Sequence, residues 1–531
     1  LIRKPFIIEL WAIALILFVL LGAMNLYWGD LNQDEGWYLY AARQVTQGKL
    51  PYRDYAFTQG PMLPLVYARA QCFVDRWGLA GGRLFTMGLG LLSALGASWL
   101  AARTAPKKWA AVAGVIAFIL IAGNVYQSYF TTVVKTYALC SVFLVAGLLA
   151  ASFARGRGGV PACFLSGLLL ALAAGTRISA GAAMPVVGVY LLTQRKALGD
   201  AKWLSFGVGG VLGLVGIGLP FFLMAPEGFR FGMFEYHTFR SAGGLLPALV
   251  YKAGFISRFV QAYYLAACLA VFVLLFRWFR PAEKPEDGDT PRYFNIMTWS
   301  AALAITTVHF SAPFPYEDYQ AFVFPVFAAA LAISLVRYLT GAKADERVAR
   351  ATLVVIFLVS IAAAFSSPVN QDWFVRGRDR IWWRLKDESA LQKLRDVSAW
   401  VAEHAGSDRT VLTQDTYIAV EAGLDVPAGL EMGPFSYFPD FSREKAETLH
   451  VLNREMMREL LENTPARVAA FSGYGLSIAC PEVAEVPREE WLEMWDIILQ
   501  RYQAVFEADH FGQAHTPLVL LTIRTPAPEE P

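Results

Sequence analysis

The stretch "LWAIALILFVLLGAMNLYWGDLNQDEGWYLYAARQ", residues 10–44, contains the two features on which the reading of this chain turns. It begins with an uncharged apolar run, Leu10 to Met24, and within ten residues reaches two adjacent acids, Asp34 and Glu35, followed closely by aromatics. Long apolar runs recur at Gly78 to Ala102, Trp109 to Ala122 and Trp203 to Ala225. Each approaches or exceeds the roughly 18–20 residues that a helix needs to cross a bilayer. With 56% hydrophobic and only 17% charged residues among 531, the chain is too apolar for an ordinary soluble globule. The pattern is that of an α-helical polytopic membrane protein. A net charge of +2 is too small to imply a nucleic-acid partner.

The pattern predicts about eleven spans, near 6–27, 79–102, 109–123, 133–153, 160–176, 179–194, 203–225, 256–277, 294–311, 319–337 and 351–366. The first apolar run has no small-residue cleavage site and reads as a retained helix. Connections alternate in character. Short basic ones ("RTAPKK", "RGRG", "QRKALGDAK", "RWFRPAEK") belong on the cytoplasmic side, as does the N-terminal "RK". The long loop 28–78, the 225–255 segment, "SAPFPYEDY" and everything beyond residue 366 then face outward, into the periplasm of a bacterial cell.

Within the first outer loop, residues 35–47 and 61–77 have helical apolar stripes and are expected to lie in the interface, with Trp and Tyr at headgroup depth. Beyond the transmembrane domain, 1–366, the composition becomes polar. "DRTVLTQDTYIAVEAGLDVPAG" reads as strand, turn and helix, and "PARVAAFSGYG" and "TPLVLLTIR" as buried strands. Residues 367–531 are expected to form a small periplasmic α/β domain. Of five cysteines, Cys72 and Cys480 are the pair able to meet outside the bilayer.

Three groups of residues can carry chemistry. Asp34 and Glu35 stand at the membrane boundary, where a carboxylate can reach both a lipid and a soluble reactant as a general base. The competing reading is that Asp34 caps the helix that follows. Asp54, in "PYRDY", reads as a turn residue paired with Arg53. Lys135 and Arg177 lie in apolar surroundings at the outer ends of spans. An uncompensated cation costs roughly 2.5–3.5 kcal/mol in a span, so each either snorkels to headgroups or holds an anion such as a lipid phosphate. In "HFSAPFPYEDYQAFVFP", a proline-rich outward turn gathers His309, Tyr316, Glu317, Asp318 and Tyr319, either to hold a headgroup or as part of an aromatic belt. There is no Walker loop, no zinc-ligand spacing and no large inner loop able to house a nucleotide-binding domain. A reaction on the outer face would therefore need a donor already activated and carried by the membrane.

"DEGWYLYAARQVTQGKLPYRDYAFTQGPMLPLVY" resembles the first outer loop of the C-type (polytopic membrane) glycosyltransferase superfamily, in the bacterial branch related to protein O-mannosyltransferases and the lipid A aminoarabinose transferase. "AAGTRISAGAAMP" and "PYEDYQAFVFPVF" resemble later blocks of the same proteins. The resemblance implies that a sugar is transferred, with inversion, from a polyprenyl-phosphate donor to a glycan, lipid or protein acceptor. Asp34 would be the base and Glu35 its support, with Tyr52 and Asp54 behind them. Arg177, Lys135 and His309 would take the donor phosphate, and Tyr316 and Tyr319 would position the donor. Many relatives have a Lys before the prolines of the first loop. This chain has Gln59 there, which can donate a hydrogen bond but carries no charge. No cofactor is implied, and one adjacent acid pair makes a poor divalent-ion site. A different class of function, a transporter or flippase of lipid-linked saccharide, would use the same buried cations to line a path. A third is an assembly protein that kept the fold and lost the chemistry.

Overall fold

A computed structural model describes residues 4–239, 243–279, 290–342, 344–366, 386, 388–480 and 483–524. The start of the expected C-terminal domain, 367–385, and most of the basic loop that begins at 277 lie outside these. The chain forms two compact units, both assembled from separated segments. One comprises Leu1–Asn25, Thr86–Leu219 and Ala242–Val375; the other comprises Leu26–Phe85, Pro220–Ser241 and Arg376–Pro531.

The first unit is helical. All eleven expected segments contain helix, and six helices among the described residues are long and apolar enough to cross a membrane: Lys4–Trp28, Leu79–Thr104, Gly159–Thr176, Asp200–Met224, Phe324–Gly341 and Glu346–Ala364. This is a multi-pass membrane protein. Apolar helices divide by environment. Ala110–Ala122 is buried almost throughout, packed among other helices. Asp200–Met224 leaves Val211, Leu212 and Leu223 exposed, as a lipid-facing helix does, since the bilayer solvates such side chains.

The expected straight span at 256–277 takes a different form. Helices Leu245–Ala262 and Tyr264–Phe279 meet at a bend of 92°. The first of them carries Lys252, bonded to the carbonyls of Phe310 and Ala312, and Arg258, paired with Glu317 at 2.8 Å. At the bend Tyr263 donates to Gln127 Oε1 at 3.0 Å and stacks on Phe324 with centroids 4.1 Å apart. Polar anchors on one half and an aromatic lock at the joint make a single straight helix unfavourable.

In the second unit, Val411–Thr413 and Val468–Phe471 run parallel, and Thr516–Ile523 and Tyr502–Phe511 continue the sheet antiparallel, in spatial order Val411, Val468, Thr516, Tyr502. Three of these strands match the periodicity of the sequence. Tyr502–Phe511 does not, because it is an exposed edge with two register shifts and no clean alternation. The first-loop helix spans Gln33–Thr46, and the second stretch breaks into Met62–Tyr67, a 3₁₀ turn and Gln71–Trp77. Trp37 and Tyr40 are not at a headgroup surface as expected. Both are buried inside the unit, where the Tyr40 hydroxyl accepts from Val426 N at 3.2 Å. Cys72 is exposed and Cys480 buried, and the two do not form a disulfide.

Candidate active site

The helix that carries the acid pair begins with a capping box, and its cap is Asn32 rather than Asp34. The Asn32 side chain accepts from Asp34 N at 3.1 Å, while Glu35, at the third helical position, accepts from Asn32 N at 3.0 Å. The sequence reading placed the cap two residues late because Asn and Asp cap equally well.

Glu35 is then locked from its other side. Arg83, near the start of Leu79–Thr104, donates from Nε to Glu35 Oε1 at 2.8 Å and from Nη2 to Oε2 at 2.6 Å. Its remaining N–H groups reach the carbonyls of Leu26, Gly29 and Asp30 at 2.8–3.1 Å. Both side chains are fully buried. All five guanidinium donors are thus engaged, and two of them serve carbonyls that the end of helix Lys4–Trp28 would leave unpaired. Burial of this charge pair is tolerable only because nothing in it is left unsatisfied.

Asp34 differs from its neighbour. It is partly exposed, with Oδ1 accepting from Trp37 Nε1 at 3.2 Å one helical turn on. It sits in the first turn, where the helix dipole favours an anionic carboxylate. Two adjacent acids in the sequence therefore hold different positions: one inside a buried ion pair, one partly exposed in the first helical turn.

The turn after this helix is closed by Asp54, which accepts from Leu50 N at 2.7 Å and pairs with Arg53, also at 2.7 Å. The hydrogen bonds from Arg53 hold its carboxyl below the usual range. Tyr52 is buried in a left-handed conformation, φ 70°, with its hydroxyl donating to the Gln59 carbonyl. Tyr52 and Gln59 thus meet through the Gln59 backbone, and the Gln59 side chain is partly exposed.

The remaining candidates gather in the helical unit. Lys135, immediately before helix Thr136–Ala151, pairs with Asp318 at 3.0 Å, and Tyr137 donates to the same Asp318 oxygen at 2.8 Å. Arg177, at the end of Gly159–Thr176, donates to Thr136 Oγ1 at 3.1 Å. Its guanidinium lies 4.2 Å from the Tyr319 ring centroid and 5.2 Å from that of Tyr137. Burial pushes the Asp318 carboxyl up, but Lys135, Tyr137 and Arg177 together outweigh it and hold the group below its ordinary value. Its Oδ1 has no hydrogen-bond partner among the described residues. Tyr316 stands exposed beside Tyr319, with centroids 5.6 Å apart.

His309 belongs to this cluster by position but uses both ring nitrogens internally. Gln320 donates to Nδ1 at 2.9 Å, so the proton is assigned to Nε2, which faces Ser179 Oγ at 2.8 Å. The Gln320 carbonyl oxygen accepts from Thr306 at 2.9 Å. Sequence reasoning had grouped His309 with the two cations. In the structure its imidazole is buried beside the Tyr319 ring, whose centroid is 5.4 Å away.

No protein-family profile matches the chain, and no curated protein matches it in sequence. Solved structures do. The chain superposes over 99% of its length on the whole of ArnT from Cupriavidus metallidurans bound to undecaprenyl phosphate, with a TM-score of 0.60 and 13% identity. The apo state of ArnT matches over 97% of this chain and 98% of that one, also at 0.60, with 14% identity. The Archaeoglobus fulgidus oligosaccharyltransferase tethered with an acceptor peptide containing the NVT sequon matches over 95% of this chain and 73% of its own, at 0.53 and 13% identity. The chain shares its fold with these two proteins.

Against that fold, the sequence candidates sort into two groups. Asp34, Glu35, Tyr52, Asp54 and Gln59 belong to the unit that contains the sheet, and Lys135, Arg177, His309, Tyr316 and Tyr319 to the helical unit. Arg83 and Tyr137 were missed. Arg83 carried the signal that drew attention to Lys135, a lone cation beside an apolar run. Tyr137 carried none, since one tyrosine in a membrane helix is unremarked.

Proposed function

We propose that the protein is a membrane glycosyltransferase that moves a sugar from a polyprenyl-phosphate donor to an acceptor on the periplasmic side of a bacterial inner membrane, inverting the anomeric centre. In this reading the eleven helical segments span the membrane with the N-terminus in the cytoplasm, and residues beyond 366 are periplasmic. The observation that carries it is the unequal state of the acid pair, within a fold shared from end to end with ArnT.

Asp34 takes the proton of the acceptor hydroxyl as that oxygen attacks the anomeric carbon. The bond from that carbon to the phosphate oxygen breaks on the opposite face, and its electron pair leaves with the lipid phosphate. Glu35 takes no proton: its oxygens are committed to Arg83 and Asn32, and it holds the helix start that presents Asp34. Tyr52 and Asp54 shape the turn behind it. The leaving phosphate needs fixed positive charge, and Lys135 and Arg177 are assigned to it. Tyr137, Tyr316 and Tyr319 orient the cations and the donor, and His309 supports Tyr319. Gln59, neutral where many relatives carry Lys, adds a hydrogen-bond donor and no charge.

The test is Asp34→Asn in reconstituted membranes supplied with polyprenyl-phosphate sugar. A general base contributes about 10²–10⁴-fold, so turnover should fall by that much while the folded yield stays unchanged. Transfer at the wild-type rate would remove Asp34 from the chemistry. Passage of labelled donor across liposomes with no glycosylated product would point instead to a flippase.

A further inference from the structure

Ligands of open α/β sheets bind beyond the carboxyl ends of the parallel strands. Here the two parallel strands, Val411–Thr413 and Val468–Phe471, end at a buried polar knot. Asp415 accepts from Ser472 N at 2.9 Å, and from Ser472 Oγ and the Tyr417 hydroxyl at 2.8 Å each. Against this end of the sheet packs another part of the chain. Helix Gln33–Thr46 packs its Gly36 against the start of helix Thr416–Ala422 so closely that a Cβ at residue 36 would lie 2.3 Å from Tyr417 N and 2.5 Å from Thr416 Oγ1. Only glycine permits that approach.

The same helix start is gripped a second time. The turn between Tyr502–Phe511 and Thr516–Ile523 sends Gln513 Oε1 to accept from Gln33 N at 3.2 Å. From the same turn, His515 Nε2 meets Asp30 Oδ2 at 3.0 Å. Lys386 holds the other Asp30 oxygen at 2.7 Å. Thr416, Tyr417, Gln513 and His515 thus bear on residues 30, 33 and 36, on both sides of Asp34.

We propose that Thr416, Tyr417, Gln513 and His515 are positioning residues for Asp34: the C-terminal sheet uses the helix start beyond its first strand and one hairpin turn to set the angle of the helix that carries the base. The proposal rests on the reading of Asp34 as base. It gives the C-terminal region a part in the reaction without any chemistry of its own. A carboxylate displaced by about 1 Å can lose on the order of a hundredfold in rate, so small contacts far from the reacting atoms suffice.

The experiment uses the full chain in lipid nanodiscs, comparing wild type with Gln513→Ala, His515→Ala and, from the other side of the contact, Gly36→Ala. Amide hydrogen exchange over residues 30–40 is read together with steady-state transfer from a polyprenyl-phosphate sugar. Expected are faster exchange confined to residues 30–40, kcat lower by about tenfold, and an unchanged KM for the donor. Unchanged exchange at 30–40, or unchanged kcat despite faster exchange, overturns the proposal. So does faster exchange throughout the sheet, which would make these residues general scaffold. Should the wild type transfer no sugar, the base reading fails separately, and the exchange data alone decide whether the clamp exists.

Discussion

The acid pair and the basic cluster are both built from charges that the membrane makes expensive, yet they are finished differently. Around Glu35 and Arg83 exposure is zero on both side chains and every guanidinium donor has an acceptor. Around Lys135 and Asp318 the side chains are 9% and 16% exposed, and Asp318 Oδ1 has no hydrogen-bond partner among the described residues. Arg177 lies against two aromatic faces and donates to one hydroxyl. A closed pair is structural. Asp34, partly exposed beside a fully buried Glu35, repeats the same contrast between neighbouring residues.

The contrast breaks most visibly at Arg83. Replacing it with Met leaves Glu35 buried without its partner, which should cost about 3–5 kcal/mol and sharply lower the folded yield. The double variant Arg83→Met/Glu35→Leu removes both charges and should recover much of that loss. Thermal unfolding in detergent reads both effects. Equal destabilisation by the single and double variants would mean that the pair is not the unit argued here.

A smaller effect is expected at the basic cluster. Lys135→Ala and Arg177→Ala should each raise the KM for donor by about 10–100-fold, the value of one charge-assisted hydrogen bond, with little change in kcat. Arg177→Lys should recover only part, because an ammonium keeps the charge but loses the flat stacking on Tyr319. A pure fall in kcat would assign these residues to the transition state alone.

The smallest effect belongs to Asp54, whose carboxyl is held low by Arg53. A depressed folded pKa contributes stability that is present above the unfolded value, about 3.9, and is lost as pH falls through the folded one. The loss should therefore lie below about pH 4 and should vanish in Asp54→Asn. Because the pair is solvent-screened, the shift in unfolding midpoint will be slight, and 1 M salt should shrink it further. A loss of stability on going from pH 4 to pH 7 would have the wrong sign.

Much of this molecule was legible beforehand because bilayer energetics are local. Each apolar run reports its own environment, so helix positions at Lys4–Trp28, Leu79–Thr104 and Asp200–Met224 agree with the sequence to within a few residues. The bend at Tyr263 was not legible, since it depends on Gln127 and Phe324, far away in sequence. Nor was the burial of Trp37 and Tyr40. An amphipathic stripe looks the same whether its apolar face meets lipid or protein.

By itself, the sequence determined that the chain crosses a membrane repeatedly, that acids and cations stand where such a chain can least afford idle charge, and that the first outer loop resembles that of a transferase. Composition and periodicity are properties of neighbouring residues, and hydration acts on them directly. Only the tertiary structure decided which of the two adjacent acids is buried in an ion pair and which is partly exposed. That difference depends on Arg83 meeting both Glu35 oxygens, and a hydrogen bond between residues 48 apart leaves no periodic trace in the chain.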